Sequence, residues 1–226
     1  AAHIIHKGEA SNQNYILGIA GSNAGGDADK PFFTTGSTIS MAPTQLSHNT
    51  WHHIAVTYNN GSFKLYLNGT EDLSGTVTGG TPSNNPLRIC WSGINVGDNR
   101  SLNGKVDEIR IWNVERSATE IQGSMPGELC GSETGLVAYW DFNQGTAGGD
   151  NSGISTLEDK TSNNNDGTLT GFAKTGCESN FCYSSAIQKN GLDFDGTADY
   201  VTIPFNAAFN PSAITIEAWV KPETTT

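Results

Sequence analysis

The sequence predicts an all-β protein, a sandwich or barrel of short strands, with one short helix. Three observations carry that expectation. Apolar and polar residues alternate in short runs at regular spacing along the 226 residues. Gly supplies 27 residues, and Ser, Thr and Asn crowd the segments between runs, as many tight turns require. Only one segment carries helix signals.

The runs come in order. NYILGIA (14–20) and PFFTTGSTIS (31–40) are the first. WHHIAVTY (51–58) and FKLYLNG (63–69) flank NNGS, whose Asn and Gly accept the positive φ of a hairpin turn. LRICW (87–91), INVGD (94–98), KVDEIRIW (105–112), LVAYWDFN (136–143), DGTLTGF (166–172), GLDFDG (191–196) and YVTIP (200–204) follow. In the last run Ile214, Ile216, Ala218 and Val220 alternate with Thr215, Glu217, Trp219 and Lys221, the period of a half-buried strand. The helix is expected near 117–124. Ser117 with Glu120 three residues on forms a capping box, in which each side chain bonds the other's free backbone N–H. It should end near Gly123 or Pro126. Residues 143–190 are rich in Gly and Asn. They read either as a linker between two domains or, because TLED and GTLTGF interleave apolar residues with turns, as ordered loops of one fold.

A single domain of this size would bury roughly 70% of its unfolded surface and needs no staples. No stretch approaches the roughly 18 apolar residues of a membrane helix. The opening AAHIIHKGEA lacks a signal-peptide pattern and reads as mid-protein. A formal charge of -11 with twelve Lys and Arg excludes a nucleic-acid footprint and suits a secreted protein, with or without calcium. The cysteines, Cys90, Cys130, Cys177 and Cys182, match neither a zinc ribbon nor a redox CxxC. Cys177 and Cys182 flank a tight ESNF loop that a disulfide would close, leaving Cys90 with Cys130 by elimination. Four cysteines allow three connectivities, and disulfides would imply an oxidising, extracellular setting.

Two blocks, WHHIAVTYNNGSFKLYLNG and LNGKVDEIRIWNVERSATEI, resemble the second half of laminin-G-like, concanavalin-A-like domains. NGLDFDGTADYVTIP and ITIEAWVKP resemble the beginning of the same domain, and ETGLVAYWDFNQGTAGG through TLEDKTSNNNDGTLTGF resembles its closing segment in large bacterial surface proteins. The resemblance implies a two-sheet antiparallel jelly-roll sandwich. It also implies an order: residues 1–189 correspond to the middle and C-terminal part of the fold, and 190–226 to its N-terminal strands. Those strands are expected to complete this domain, as in a circular permutant, or a neighbouring copy by strand exchange, as in a window on a tandem array.

Catalytic signals are weak. Glycosidases need two carboxyls about 5 to 9 Å apart. Asp107 and Glu108 are adjacent on a predicted strand and so should face opposite ways, and LEDK has the same defect. There is no GxSxG elbow. His3 and His6, and likewise His52 and His53, should lie on opposite strand faces, which disfavours a metal site. The resemblance implies a structural calcium instead, with Asp107 and Asp141 among its ligands. The Asp- and Asn-rich turns add Asp159, Asp195 and Asp199, with Asp193, Asn163, Asn165 and Asp166 beside them. The same residues also suit Asx turns. For a glycan, Trp91, Trp112, Trp140, Trp219, Tyr15 and Tyr66 offer stacking faces. Trp91 stands out because it opens a loop that also carries Asp98 and Asn99, and Tyr15 is the second aromatic candidate.

The expected function is a non-catalytic binding or adhesion module of a secreted, repetitive bacterial surface protein, with a glycan or another cell-surface molecule as ligand and neighbouring repeats as partners. Two alternatives stand beside it: a structural repeat of a stalk or filament joined by strand exchange, and an accessory domain of a polysaccharide-degrading enzyme. Asn60, Asn68 and Asn99 lie in N-x-Ser/Thr sequons.

Overall fold

Asn-Gly pairs set the pairing of the strands. Between β5 (His52–Asn59) and β6 (Ser62–Leu67) the turn is Asn60 and Gly61, with φ of 48° and 90°. Between β6 and β7 (Thr70–Thr76) it is Asn68 and Gly69, with φ of 51° and 78°. Both are two-residue turns whose positive φ values match the twist of an antiparallel pair. β7 escapes the apolar pattern because its side chains are mostly exposed along a sheet edge.

The structure, a computed structural model, describes residues 1–9, 12–36, 38–91, 100–175, 180–184 and 189–224. Its remaining strands are β1 (Ala2–Glu9), β2 (Asn12–Ile19), β3 (Pro31–Thr34), β4 (Ile39–Met41), β8 (Leu87–Ile89) and β9 (Asn103–Trp112). The helix α1 (Ala118–Ser124) follows, then β10 (Leu136–Trp140), β11 (Thr156–Leu157), β12 (Gly167–Thr170), β13 (Phe181–Ser184), β14 (Lys189–Asp195), β15 (Tyr200–Ile203) and β16 (Ala213–Thr224). The run at 31–40 is therefore two strands, and the predicted strand at 94–98 lies outside the described residues.

Two antiparallel sheets face each other. The first runs β11-β12-β15-β8-β1-β2-β3-β4. The second runs β13-β14-β9-β16-β5-β6-β7, with β10 also paired to β9. One hydrophobic core fills the space between them, from Ile5, Leu17 and Phe33 on the first sheet to Ile54, Ile109 and Ile216 on the second. β16 lies between β5 and β9, in register from Ala213 opposite Asn59 to Val220 opposite His52. Ile214, Ile216, Ala218 and Val220 enter the core as the alternation predicts. The other face is not open: Thr215 and Glu217 are buried too, in a layer of polar contacts that involves the helix and the segment after it.

Local irregularities change which side chains share a face. A register shift between His3 and Ile5 lets Ile4 and Ile5 both enter the core, and the rings of His3 and His6 meet edge to face at 5.2 Å. The expectation of opposite faces therefore fails for this pair. It also fails for Asp107 and Glu108. Glu108 adopts φ of 53° where the β9–β16 register shifts. Asp107 pairs with Trp219, and Glu108 bonds Arg110, which pairs with Glu217, so both carboxylates lie on the outer face of the second sheet.

The Cys90–Cys130 disulfide is not formed. Cys90 is a free thiol buried in the core at the end of β8, and Cys130 is free and exposed after the helix. Strand pairing fixes Cys90 inside the sandwich, where a surface loop cannot reach it; burial pushes its thiol well above the usual range. Cys177 and the side chain of Cys182 lie outside the described residues.

Candidate functional site

The outer face of the first sheet is built from a single cross-strand row. Ile39, Thr34, Ile16, His6, Arg88, Thr202, Thr168 and Thr156 stand opposite one another in turn, one from each of the eight strands. Ile5, Ile89, Val201 and Leu169 form the matching row on the core side. Beside the outer row, Met41, Phe32, Gly18 and His3 make a second. Gly18 matters here. A Cβ on it would lie 2.6 Å from the Phe32 ring and 2.5 Å from the Ala2 carbonyl oxygen. With no side chain on the intervening strand, the His3 and Phe32 rings approach across it to 6.0 Å.

Over these rows opens a cavity of about 610 Å³, a volume suited to a small-molecule ligand. Phe32, Ile16 and Met41 give it an apolar floor, and Gln13, the Thr78–Thr81 segment and Arg100 give it a polar rim. His3 lines it while being only 1% exposed, and its Nδ1 has no hydrogen-bond partner among the described residues. Leaving such a group unpaired costs about 1 to 3 kcal/mol. Burial, helped by the neighbouring His6 and Arg100, holds the His3 imidazole well below its usual pKa, so it is neutral at pH 7. No Asp or Glu occurs among the described lining residues.

The residues singled out in the sequence distribute as follows. Trp91 stacks on Tyr200 at 4.3 Å, with the Arg88 guanidinium 5.3 Å from the indole. Tyr200 lies two residues from Thr202 on β15, which puts this aromatic pair on the same sheet face as the cavity. Asp98 and Asn99 lie outside the described residues. Tyr15 points the other way, 3% exposed in the inter-sheet core. Trp140 is core, its Nε1 donating to the Asn165 carbonyl at 3.1 Å, and Trp219 donates to the Met125 carbonyl at 3.1 Å.

The five aspartates named as calcium ligands hold protein donors. Asp159 accepts from the N–H groups of Tyr139, Thr161 and Asn165 and from the Thr161 hydroxyl, at 2.8 to 3.0 Å. Asp195 accepts from the N–H of Thr197 and Ala198 and from the Thr197 hydroxyl. Asp199 accepts from Asn180 Nδ2 and the Asp195 N–H. Asp141 accepts from the Asn143 N–H and lies 3.5 Å from Lys160 Nζ, and Asp107 accepts from the Glu108 N–H. Among the described residues no group of three His, Cys, Asp or Glu is arranged to hold a metal. Each of these carboxylates takes part in a hydrogen-bonded turn or an ion pair, whereas a calcium site would need six to eight oxygens facing one point.

A denser charge cluster lies on the outer face of the second sheet, and the sequence did not suggest it. Glu217 bonds Arg116 at 2.5 Å, approaches His53 at 3.4 Å and lies 4.0 Å from Arg110. Glu108 accepts from Arg110 and from the Tyr139 hydroxyl. Glu108, Arg110 and Glu217 are each at most 1% exposed, and the Arg110 guanidinium also caps the Ser124 and Gly127 carbonyls just after the helix. Burial raises Glu108 above the usual carboxylate range. It opposes ionisation of Glu217 as well, but the His53 hydrogen bond and the charges of His53, Arg110 and Arg116 bring Glu217 below that range. A substrate cannot reach carboxyls shut in this way.

Residues 1–122 match the model of a family described as "Concanavalin A-like lectin/glucanases superfamily" (Laminin_G_3). No curated protein sequence matches the chain. Among solved structures, one from Bacteroides ovatus ATCC 8483, described as a "putative carbohydrate binding protein", aligns over 91% of this chain with a TM-score of 0.56 and 20% sequence identity. The chain spans 50% of that protein's length, and a likeness at this identity is one of fold.

Proposed function

The chain belongs to the concanavalin A-like lectin/glucanases superfamily, and from that premise we propose that it is a non-catalytic carbohydrate-binding module whose ligand lies on the outer face of the eight-stranded sheet. The observation that carries this reading is the cavity of about 610 Å³ over Phe32, whose rim supplies threonine hydroxyls, an amide and a guanidinium around an apolar floor. Sugars present that combination in reverse, with C–H faces for the floor and hydroxyls for the rim. The Bacteroides ovatus protein of similar fold, described in terms of carbohydrate binding, favours the same ligand class.

The superfamily also holds glucanases. Against catalysis here, hydrolysis of a glycosidic bond requires two carboxyls flanking it, roughly 5 to 9 Å apart. The described cavity lining has none, and Glu108 and Glu217 are closed off on the other sheet.

A glycan array followed by calorimetry tests the proposal. At least one saccharide should bind. Phe32→Ala should weaken it about tenfold, the loss of roughly 1.4 kcal/mol of contact, with an unchanged fold by circular dichroism. Ile39, 53% exposed at the cavity mouth, offers a second variant, Ile39→Ala, that the fold tolerates. Binding that neither variant weakens would move the site elsewhere, and release of reducing sugar from a bound glycan would end the non-catalytic reading.

A further inference from the structure

The ring of Tyr15 belongs to the core, but its hydroxyl does not fit an apolar interior. The residue is 3% exposed, and its Oη has no hydrogen-bond partner among the described residues. A buried tyrosine hydroxyl ordinarily finds one, because leaving it unpaired is unfavourable. Burial pushes its pKa above the ordinary range, so the group stays a neutral hydroxyl that can both donate and accept.

Tyr15 lines a second cavity, of about 310 Å³, between the two sheets. Phe33 of β3, Tyr58 of β5 and Ile214 of β16 line it too, so both sheets contribute. Tyr15, Phe33, Thr35 and Ile214 are buried, whereas Asn60, Pro82 and Ser212 are exposed. The cavity thus runs from solvent down to the tyrosine. Its volume is near the lower end for ligand pockets, room for one small ring rather than a chain.

The segments around its mouth are tied together. Asn14 Nδ2 donates to Asn210 Oδ1 at 2.7 Å, and Asn210 Nδ2 donates to the Ser83 carbonyl at 3.0 Å. The buried Lys7 Nζ donates to that same carbonyl at 2.7 Å and to the Asn85 carbonyl at 2.6 Å. A Cβ on Gly80 would lie 1.9 Å from the Asn14 carbonyl oxygen, so the loop can lie against β2 only with glycine there. A mouth held in this way needs little ordering when a ligand arrives.

We propose that this cavity is a second ligand site, which takes a single sugar ring and receives one of its hydroxyls on Tyr15 Oη. The Phe33 and Tyr58 rings, with centroids 6.2 Å apart, offer apolar surface to the C–H face of the sugar. The carboxamides of Asn14 and Asn210 and the Ser212 hydroxyl face its remaining hydroxyls nearer the mouth. This site adds to the carbohydrate reading without depending on the cavity over Phe32. Among the described lining residues the two cavities share Thr35 and Gly80 alone.

Calorimetric titration with glucose, galactose, mannose and N-acetylglucosamine, one at a time, tests it. At least one should bind. Tyr15→Phe removes only the hydroxyl and should weaken that sugar about tenfold. The same variant, without sugar, should unfold in urea at the parent's midpoint or above it, since it deletes a buried group that has no protein partner. Ser212→Trp, at the exposed mouth, should block the sugar, and Phe32→Ala should leave its affinity unchanged. If none of the four sugars binds, or if Tyr15→Phe or Ser212→Trp binds as tightly as the parent, the inference fails. A sugar lost in Phe32→Ala belongs to the outer face, so this site fails while the outer-face reading stands. A lower midpoint for sugar-free Tyr15→Phe would show the hydroxyl already bonded within the fold, and that too would overturn the proposal.

Discussion

Asp199 is a carboxyl held where its charge is disfavoured. Burial, with the charges of Asp195 and Asp193 nearby, pushes its pKa up to about 6 against the hydrogen bonds that favour the anion. An acid whose folded pKa lies above its unfolded value binds its proton more tightly when folded. The folded state therefore loses stability as pH rises from about 4, the unfolded value, to about 6. Asp199→Asn should remove that slope, with the variant gaining on the parent across this window in urea melts; parallel pH profiles would refute the assignment. Single residues were the least legible level of the sequence. Strict alternation places His3 opposite His6, and Asp107 opposite Glu108, and an irregular register brings each pair onto one face. A run of apolar and polar letters does not mark where one extra residue enters a strand. Tyr15 shows a different limit: a tyrosine on a strand reads equally well as a core ring or as a sugar platform, and the register put it in the core.

The helix was legible because its signal is local. Ser117 Oγ accepts from the Glu120 N–H, and the Glu120 carboxylate accepts from the Ser117 N–H, as the S-x-x-E spacing predicts. Ser117→Ala should cost about 1 kcal/mol of stability in urea unfolding. An unchanged midpoint would mean that tertiary contacts alone fix the helix. Ile121, the buried residue of α1, packs on Ala55 and Tyr66 of the second sheet, and Trp219 is tied to Met125 at the helix end. The burial of Glu217 depends on this packing and on the segment at 124–129. That is a contact between distant parts of the chain, and a residue pattern within β16 does not contain it.

For the whole molecule, the two-sheet class was legible from run spacing and turn chemistry, since those features repeat along the chain and errors at single elements average out. Residues of β14, β15 and β16 enter the same hydrophobic core as those of β1, β2 and β5. β16 pairs with β5 and β9 of its own chain, and we propose that 190–226 complete this domain rather than a neighbouring copy. Light scattering should give the mass of a monomer, 23.9 kDa, across concentration. A stable dimer that exchanges labelled subunits only on unfolding would point to swapped strands instead.

The position of β16 also governs the order in which the chain can fold. Trp219 must meet both His53 and Asp107, so β5 and β9 acquire their shared neighbour only once the chain has been made through β16, more than a hundred residues after β9. During translation the hairpin of β5 and β6 can form, yet its apolar edge has to wait for a distant segment. Proteins dominated by such non-local pairings fold in milliseconds to seconds. A nascent chain of this kind emerges from the ribosome with a half-built sheet, a state that chaperones recognise and that aggregates when left unattended.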